Sequence, residues 1–227
     1  MQTVNTDNSS MLDDKDYQPP KPKPVYDFFK RFFDIILSLL ALILLSPVFL
    51  VVAIAIKCED GGKVFYCQTR LTKNQKQFKM FKFRSMCPDA DKKLEELLQY
   101  NEMKGPAFKM ENDPRITKVG RFIRRTSIDE LPQLLNILFG QMSIIGPRPP
   151  LPREVEQYTP YQLHRLDVKT GLACYHECMG RSDSQDFDQW VESDLKYIRE
   201  RSLWTDLKIL LATVPKVFGC VGISDEQ

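Results

Sequence analysis

The sequence predicts an α+β fold, mainly helical, with a small β-hairpin and one long apolar helix near the N-terminus. Three observations predict it: the 22-residue apolar run Ile35–Ile56, the alternating stretch Phe78–Arg84, and the amphipathic segments that fill most of the remaining chain. The apolar fraction of 43% and mean hydropathy of −0.32 fit a globular body with one lipid-facing element and exclude a polytopic transporter.

Residues 1–24 are polar and Pro-containing and have almost nothing to bury, so a flexible tail is expected. They lack the charged start, short apolar core and cleavage site of a signal peptide, and removal is not expected. Residues 25–58 form the membrane helix. At a rise of about 1.5 Å per residue, its apolar run reaches roughly 33 Å, enough to cross a hydrocarbon core near 30 Å thick. Two features argue against a simple span. Ser46-Pro47 sits in the middle, where proline removes a backbone hydrogen bond, and Ser46 offers the freed groups a partner. The flanks are also equally basic, with Lys21, Lys23, Lys30 and Arg31 before and Lys57, Lys63 and Arg70 after. Positive charge marks the cytoplasmic side, so balanced flanks suit a broken helix that dips in and returns. On the residues alone, both the span and the re-entrant helix stay open.

Residues 59–220 form the body and 221–227 a short tail. Val64–Arg70 and Gln77–Arg84 read as strands of a hairpin turning through Thr72-Lys73-Asn74-Gln75, with one basic face. Pro88-Asp89-Ala90-Asp91 opens a helix to about Tyr100, and Gly105-Pro106 and Asn112-Asp113-Pro114 punctuate the loop after it. Helices are expected near Lys118–Arg125, Ser127–Phe139, Arg153–Gln157, Tyr161–Arg165, Phe187–Arg201 and Leu203–Phe218. The last is either core or an interfacial helix anchored by Trp204. Such short pieces need the long helix to complete their core.

Net charge is only +2, yet residues 60–125 carry sixteen Lys/Arg against eight Asp/Glu. That stretch attracts phosphates. No helix-turn-helix, finger or single-strand-binding signature accompanies it, so no nucleic acid is expected. No GxxxxGK[ST] loop is present either. The six cysteines form no CxxC pair, and Cys174, His176 and Cys178 lack an evident fourth ligand, so no zinc site is expected.

Chemistry points to Asp129-Glu130. Ser127 and Glu130 have capping-box spacing, but Pro132 falls where it interrupts the helix that box would start. An irregular turn is therefore expected, and irregular backbone marks sites more often than scaffolds. An aspartate is already an anion at neutral pH and needs no base to act as a nucleophile. Its obstacle is repulsion from an anionic phosphate, which the guanidinium groups of Arg124, Arg125 and Arg148 relieve. A dication, Mg²⁺ by chemistry, would bridge carboxylate and phosphates, with Glu130 holding the metal or managing a proton.

Several motifs in order resemble the bacterial sugar transferases of the monotopic phosphoglycosyl transferase type. They are Lys30-Arg31-Phe32-Phe33-Asp34 before the helix with Ser46-Pro47; Phe81-Lys82-Phe83-Arg84-Ser85-Met86; Asn112-Asp113-Pro114-Arg115-Ile116-Thr117; Thr126-Ser127-Ile128-Asp129-Glu130-Leu131-Pro132-Gln133; Met142-Ser143-Ile144-Ile145-Gly146-Pro147-Arg148-Pro149; and Ser202-Leu203-Trp204 with Asp206-Leu207-Lys208. The resemblance covers Tyr26 to Phe218.

It implies transfer of a sugar-1-phosphate from a UDP-sugar to polyprenyl phosphate, usually undecaprenyl phosphate, with release of UMP. That step initiates exopolysaccharide, capsule, O-antigen or glycoprotein glycan synthesis. It also implies a re-entrant helix broken at Ser46-Pro47, a monotopic protein of the bacterial inner membrane, and a catalytic domain on the cytoplasmic face. Asp129 would attack the β-phosphate to give a phosphosugar-aspartyl intermediate. Lys82, Arg124, Arg148, Arg181 and Asp206 would line the substrate site, Asp129 and Glu130 would hold Mg²⁺, and a downstream glycosyltransferase is an expected partner. Two competitors are direct attack by polyprenyl phosphate and a non-catalytic membrane scaffold. One stretch departs from the family pattern. Lys169-Thr170-Gly171-Leu172-Ala173-Cys174-Tyr175-His176-Glu177-Cys178-Met179-Gly180-Arg181 keeps length and ends but replaces the family's inner Pro, Thr, Gly and Gln. Sugar or nucleotide recognition is expected to differ there.

Overall fold

The computed structural model describes residues 17–100, 110, 112–176 and 187–217. Residues 1–16 of the expected 1–24 tail, the expected tail at 221–227, the Gly105-Pro106 turn and the end of the last helix at Phe218 lie outside those residues.

The apolar run is two helices, α1 (Pro24–Leu44) and α2 (Ser46–Asp60), bent by 59°. No single helix among the described residues is long and apolar enough to cross a membrane; the bent pair passes that test together. The break lies at Leu45, and Ser46 Oγ donates to the Ile43 carbonyl at 2.8 Å. Pro47 falls in the first turn of α2, where a missing N–H has no helical acceptor to lose. Proline thus starts the second helix and does not damage the middle of one.

α1 is inverted relative to a soluble helix. Its buried residues are Asp34 and Ser38, whereas Phe28, Phe32, Leu40, Ile43 and Leu44 are exposed. Polar side chains at helical spacing tie the inward face to the body. Asp34 accepts from Ser143 Oγ (3.1 Å) and the Ile144 N–H (2.9 Å). Arg31 donates to the Ile137 and Leu138 carbonyls (2.6 and 2.7 Å) at the end of the short helix α5 (Gln133–Leu138). Lys30 pairs with Asp206 at 2.8 Å. Hydrogen bonds to charged groups contribute about 1.5–3 kcal/mol each, so this face is firmly held while the apolar face is turned outward.

Strands β1 (Phe65–Thr72) and β2 (Lys76–Phe83) pair antiparallel from Phe65↔Phe83 to Thr72↔Lys76, closed by a 3-10 turn at Lys73–Gln75. The hairpin is where it was expected, within two residues at each end. Its single basic face is not. Lys79 is exposed, but Lys82 has the same parity as buried Phe78 and Met80 and therefore points inward. α3 (Ala90–Leu97) follows, then α4 (Lys118–Arg125). The Glu59 carboxylate accepts from the Lys118 and Val119 N–H groups at the start of α4, and a Cβ on Gly120 would lie 1.9 Å from the Ser85 carbonyl oxygen. Helix α4 is pressed directly onto the hairpin's exit.

The helix expected over Ser127–Phe139 is divided into a 3-10 turn, Ile128–Glu130, and α5 (Gln133–Leu138). A second sheet was not foreseen: β3 (Ser143–Ile145) pairs in parallel with β4 (Gly171–Ala173). Its strands are three residues long, too short for a periodicity to register. Between them lie α6 (Pro152–Val155) and α7 (Pro160–Leu163), and after them α8 (Phe187–Glu200) and α9 (Leu203–Val217). Helix α9 combines both readings of the sequence. Ile209 is buried in the core, while Trp204 and Leu211 are exposed.

The core has three parts. Ile145, Val191, Leu195, Ile198 and Ile209 form one. Phe78, Met80, Leu134, Ile137 and Met142 form another, with Ala41 and Leu42 of α1 packed on it. Val52 and Ile56 of α2 join Phe83 and Ile123 in the third. The bent helix pair therefore completes two of the three, as the shortness of the other elements requires.

Candidate active site

The acid pair sits on a turn the backbone had to be forced into. Ser127 is left-handed (φ 54°, ψ 14°) and its side chain caps nothing. A non-glycine residue there costs of order 1–3 kcal/mol, which the surroundings must offset. The capping box is not formed: the Glu130 carboxylate turns to Lys82 Nζ at 2.6 Å. Leu131-Pro132 then resets the chain into α5. Asn136, fully buried on α5, accepts the Phe81 N–H (2.9 Å) and donates to the Lys79 carbonyl (2.7 Å), pinning the acid turn against β2.

The two carboxylates differ electrically. Asp129 is 7% exposed, and its carboxylate accepts a backbone N–H of its own turn. Burial pushes its pKa up to about 6, against relief from Lys82 and Arg124, and Glu130 adds to the rise. For Glu130, burial pushes upward but the charges of Lys82, Arg148 and Arg70 outweigh it and hold the group below the usual carboxylate range. One acid is thus a locked anion, the other a more basic carboxylate with no ion-pair partner among the described residues.

Glu130 lines a cleft with Lys82, Arg70, Arg148 and Gln133, walled by Leu172 and Cys174. Arg148 lies over the Trp190 ring at 5.9 Å. Its loop is tied to β4 by the Gly171 N–H, which donates to the Pro147 carbonyl at 2.9 Å. That approach leaves no room for a side chain, since a Cβ on Gly171 would lie 2.1 Å from the Gly146 nitrogen.

Of the expected site residues, the structure brings together Lys82, Glu130 and Arg148, with Asp129 beside them and Arg124 close enough to act on its charge. Ser46 and Pro47 stand at the helix break. Arg181 lies outside the described residues. Asp206 is placed elsewhere: it bonds Lys30, Tyr26 and Tyr197 where α1 meets α9 (2.8–2.9 Å), away from the cleft lining. Sequence reasoning missed Arg70, Gln133 and Asn136. Arg70 was read as a flanking charge, and its place on a strand gave no further signal.

The donor set suits a hard dication. Asp129 and Glu130 supply adjacent carboxylate oxygens, and the upward push on Asp129 is charge that a cation would relieve. No third His, Cys, Asp or Glu joins them among the described residues. That matches an ion such as Mg²⁺, which takes few protein ligands and completes its shell with water and phosphate.

Comparison with known proteins decides the class of chemistry. The sequence profile of the bacterial sugar transferases matches residues 25–220. The chain belongs to the bacterial sugar transferase family. It is 40% identical over 86% of its length, and 88% of the other chain, to the exopolysaccharide production protein ExoY of Rhizobium meliloti. It is 44% identical over 83% of its length to galactosyl transferase CpsE of Streptococcus agalactiae. To the UDP-glucose:undecaprenyl-phosphate glucose-1-phosphate transferase of Escherichia coli K12 it is 42% identical over 86% of its length. The chain spans under half of these last two proteins, 42% and 43% respectively. As a member of this family the protein is a transferase.

Proposed function

We propose that this protein transfers a sugar-1-phosphate from a UDP-sugar to a polyprenyl phosphate such as undecaprenyl phosphate, releasing UMP and initiating synthesis of a surface polysaccharide or glycoconjugate. The observation that carries the reading is the Asp129-Glu130 turn beside a cleft of three cations, built against a helix pair whose apolar face is turned outward. Relatives bearing the names of undecaprenyl-phosphate sugar phosphotransferases support the donor and acceptor classes.

In the first step an Asp129 carboxylate oxygen attacks the β-phosphorus. The bond from that phosphorus to the bridging oxygen breaks, and UMP leaves with the electron pair. In the second step a phosphate oxygen of the polyprenyl carrier attacks the same phosphorus, and the bond to Asp129 breaks, restoring the carboxylate. Lys82, Arg70 and Arg148 neutralise the phosphoryl oxygens, and Lys82 keeps Glu130 anionic. Asp129 and Glu130 would hold Mg²⁺, which when bound supplies further neutralisation of the diphosphate. A second reading exchanges the roles of the acids, favoured by Glu130 lining the cleft while Asp129 does not. Against it, the ion pair with Lys82 lowers the nucleophilicity of Glu130.

Turnover of a UDP-sugar panel with undecaprenyl phosphate should release UMP from at least one donor; release of UDP would contradict the reaction class. The bent helix pair is proposed to enter one leaflet and return, with exposed Phe122, Phe139 and Trp204 at the headgroup level. Tags at residues 1 and 227 should then both react only from the cytoplasmic side, and reaction on opposite sides would establish a span.

A further inference from the structure

We infer that Arg70 is a phosphate-binding guanidinium of the donor site, acting beside Arg148 on the nucleoside diphosphate. The inference rests on the donor class proposed above. It starts from how Arg70 is held. Nε and Nη2 both donate to Gln68 Oε1 (3.1 and 2.8 Å), and Nη1 donates to the Pro149 carbonyl (2.9 Å). The next residue is stapled to the same loop, with the Leu71 N–H donating to the Pro150 carbonyl at 3.0 Å. Those bonds fix the plane of the guanidinium. They leave one N–H on each terminal nitrogen without an acceptor among the described residues, donors of the kind a guanidinium offers to a phosphate.

The charge around it is equally telling. Arg70 forms no ion pair with a carboxylate among the described residues, although it lines the cleft with Lys82 and Arg148. Burial, with the nearby Arg148 adding to it, lowers its pKa to about 10. Glu130 and Glu154 act on it only at a distance. A cation taken out of water is normally paired, because leaving it unpaired forfeits its hydration. Arg70, Lys82 and Arg148 converge on this cleft, and a phosphate group of a bound nucleotide brings negative charge to match them. Arg70 is also held on a strand, so its guanidinium is set before the substrate arrives, whereas exposed Arg148 rests on the Trp190 ring.

The test measures binding of uridine, UMP and UDP to the full-length protein in lipid nanodiscs, for the wild type, Arg70→Gln and Arg70→Lys. Arg70→Gln should weaken UDP about 10- to 100-fold, the scale of a lost charge-assisted bond, and leave uridine unchanged. Arg70→Lys, which keeps the charge without the guanidinium, should fall between and retain the wild-type thermal midpoint. Equal loss for uridine and UDP would reduce Arg70 to a tie for the Pro149 loop and overturn the proposal, as would unchanged UDP affinity. If the wild type binds no uridine nucleotide but binds pyrophosphate in an Arg70-dependent way, the anion site stands and the uridine donor falls. If it binds none of these probes, both fall.

Discussion

Asp129→Asn should lower turnover by at least about a thousandfold, the scale on which enzymes lose rate when a nucleophile is removed, and should raise the thermal midpoint at pH 7.5. The two effects have one cause. Asp129 is nearly excluded from solvent, and burial holds its pKa up at about 6. Below an unfolded value near 3.9 both states carry the proton and nothing is at stake. Between there and about 6 the folded chain is protonated where the unfolded chain is not. Above about 6 both are ionised, and the fold bears the full burden of a buried anion, about 3 kcal/mol for a rise of this size. Asparagine keeps the shape and removes the charge, so it relieves that burden as it removes the attacking oxygen. For the wild type, the same titration makes kcat/KM for the donor rise with pH through about 6. Trapping with a donor labelled in its β-phosphate separates the two acids. Asp129→Asn should leave no label on the protein, while Glu130→Gln should still be labelled, though slowly. Label persisting in Asp129→Asn and lost in Glu130→Gln would transfer the nucleophile to Glu130.

The parts of this molecule legible in the sequence are those with a local physical signal. The hairpin announced itself by alternation, α4 by its helical pattern, and the helix break by Ser46-Pro47. The irregular acid turn was legible too, because Pro132 contradicts the capping box that Ser127 and Glu130 spell. What escaped depends on contacts between distant residues. The basic face assigned to β2 failed because composition gave the charge while parity decides the face, and Lys82 shares its parity with Phe78 and Met80. The pairing of β3 with β4 rests on Gly146 and Gly171 meeting across 25 residues of sequence. Arg70 read as one more flanking cation until the Pro149 loop was seen folded over it. Asp206, matched to the substrate site by its motif, bonds Lys30, Tyr26 and Tyr197 under the first helix, contacts that no sequence spacing announces.

The second large effect lies outside the cleft. Arg165 and Asp194 are each 3% exposed, and Nε and Nη2 of the guanidinium both meet Asp194 Oδ2 at 2.7 Å. Nη1 donates to the Tyr158 hydroxyl at 3.0 Å, and the Phe187 ring lies 5.4 Å away. Asp194→Ala removes the counter-charge and leaves a guanidinium that water cannot reach, a change that typically costs about 3–5 kcal/mol. For a chain of this length the thermal midpoint should fall on the order of 10 °C. Replacing both partners, Arg165→Met with Asp194→Leu, should recover most of the loss, because apolar groups of similar volume fill the site without a desolvated charge. An unchanged midpoint in Asp194→Ala would mean that solvent reaches the pair and that it holds little. Activity should follow stability here. Asp194 lies on α8 one helical turn beyond Trp190, whose ring supports Arg148, so the pair that anchors this helix also sets the platform on which a cleft cation rests. If the Arg165→Met/Asp194→Leu protein regains its midpoint, it should therefore regain its donor KM as well. A protein that recovers one without the other would show that the position of α8, and not its stability alone, is what the charged pair dictates.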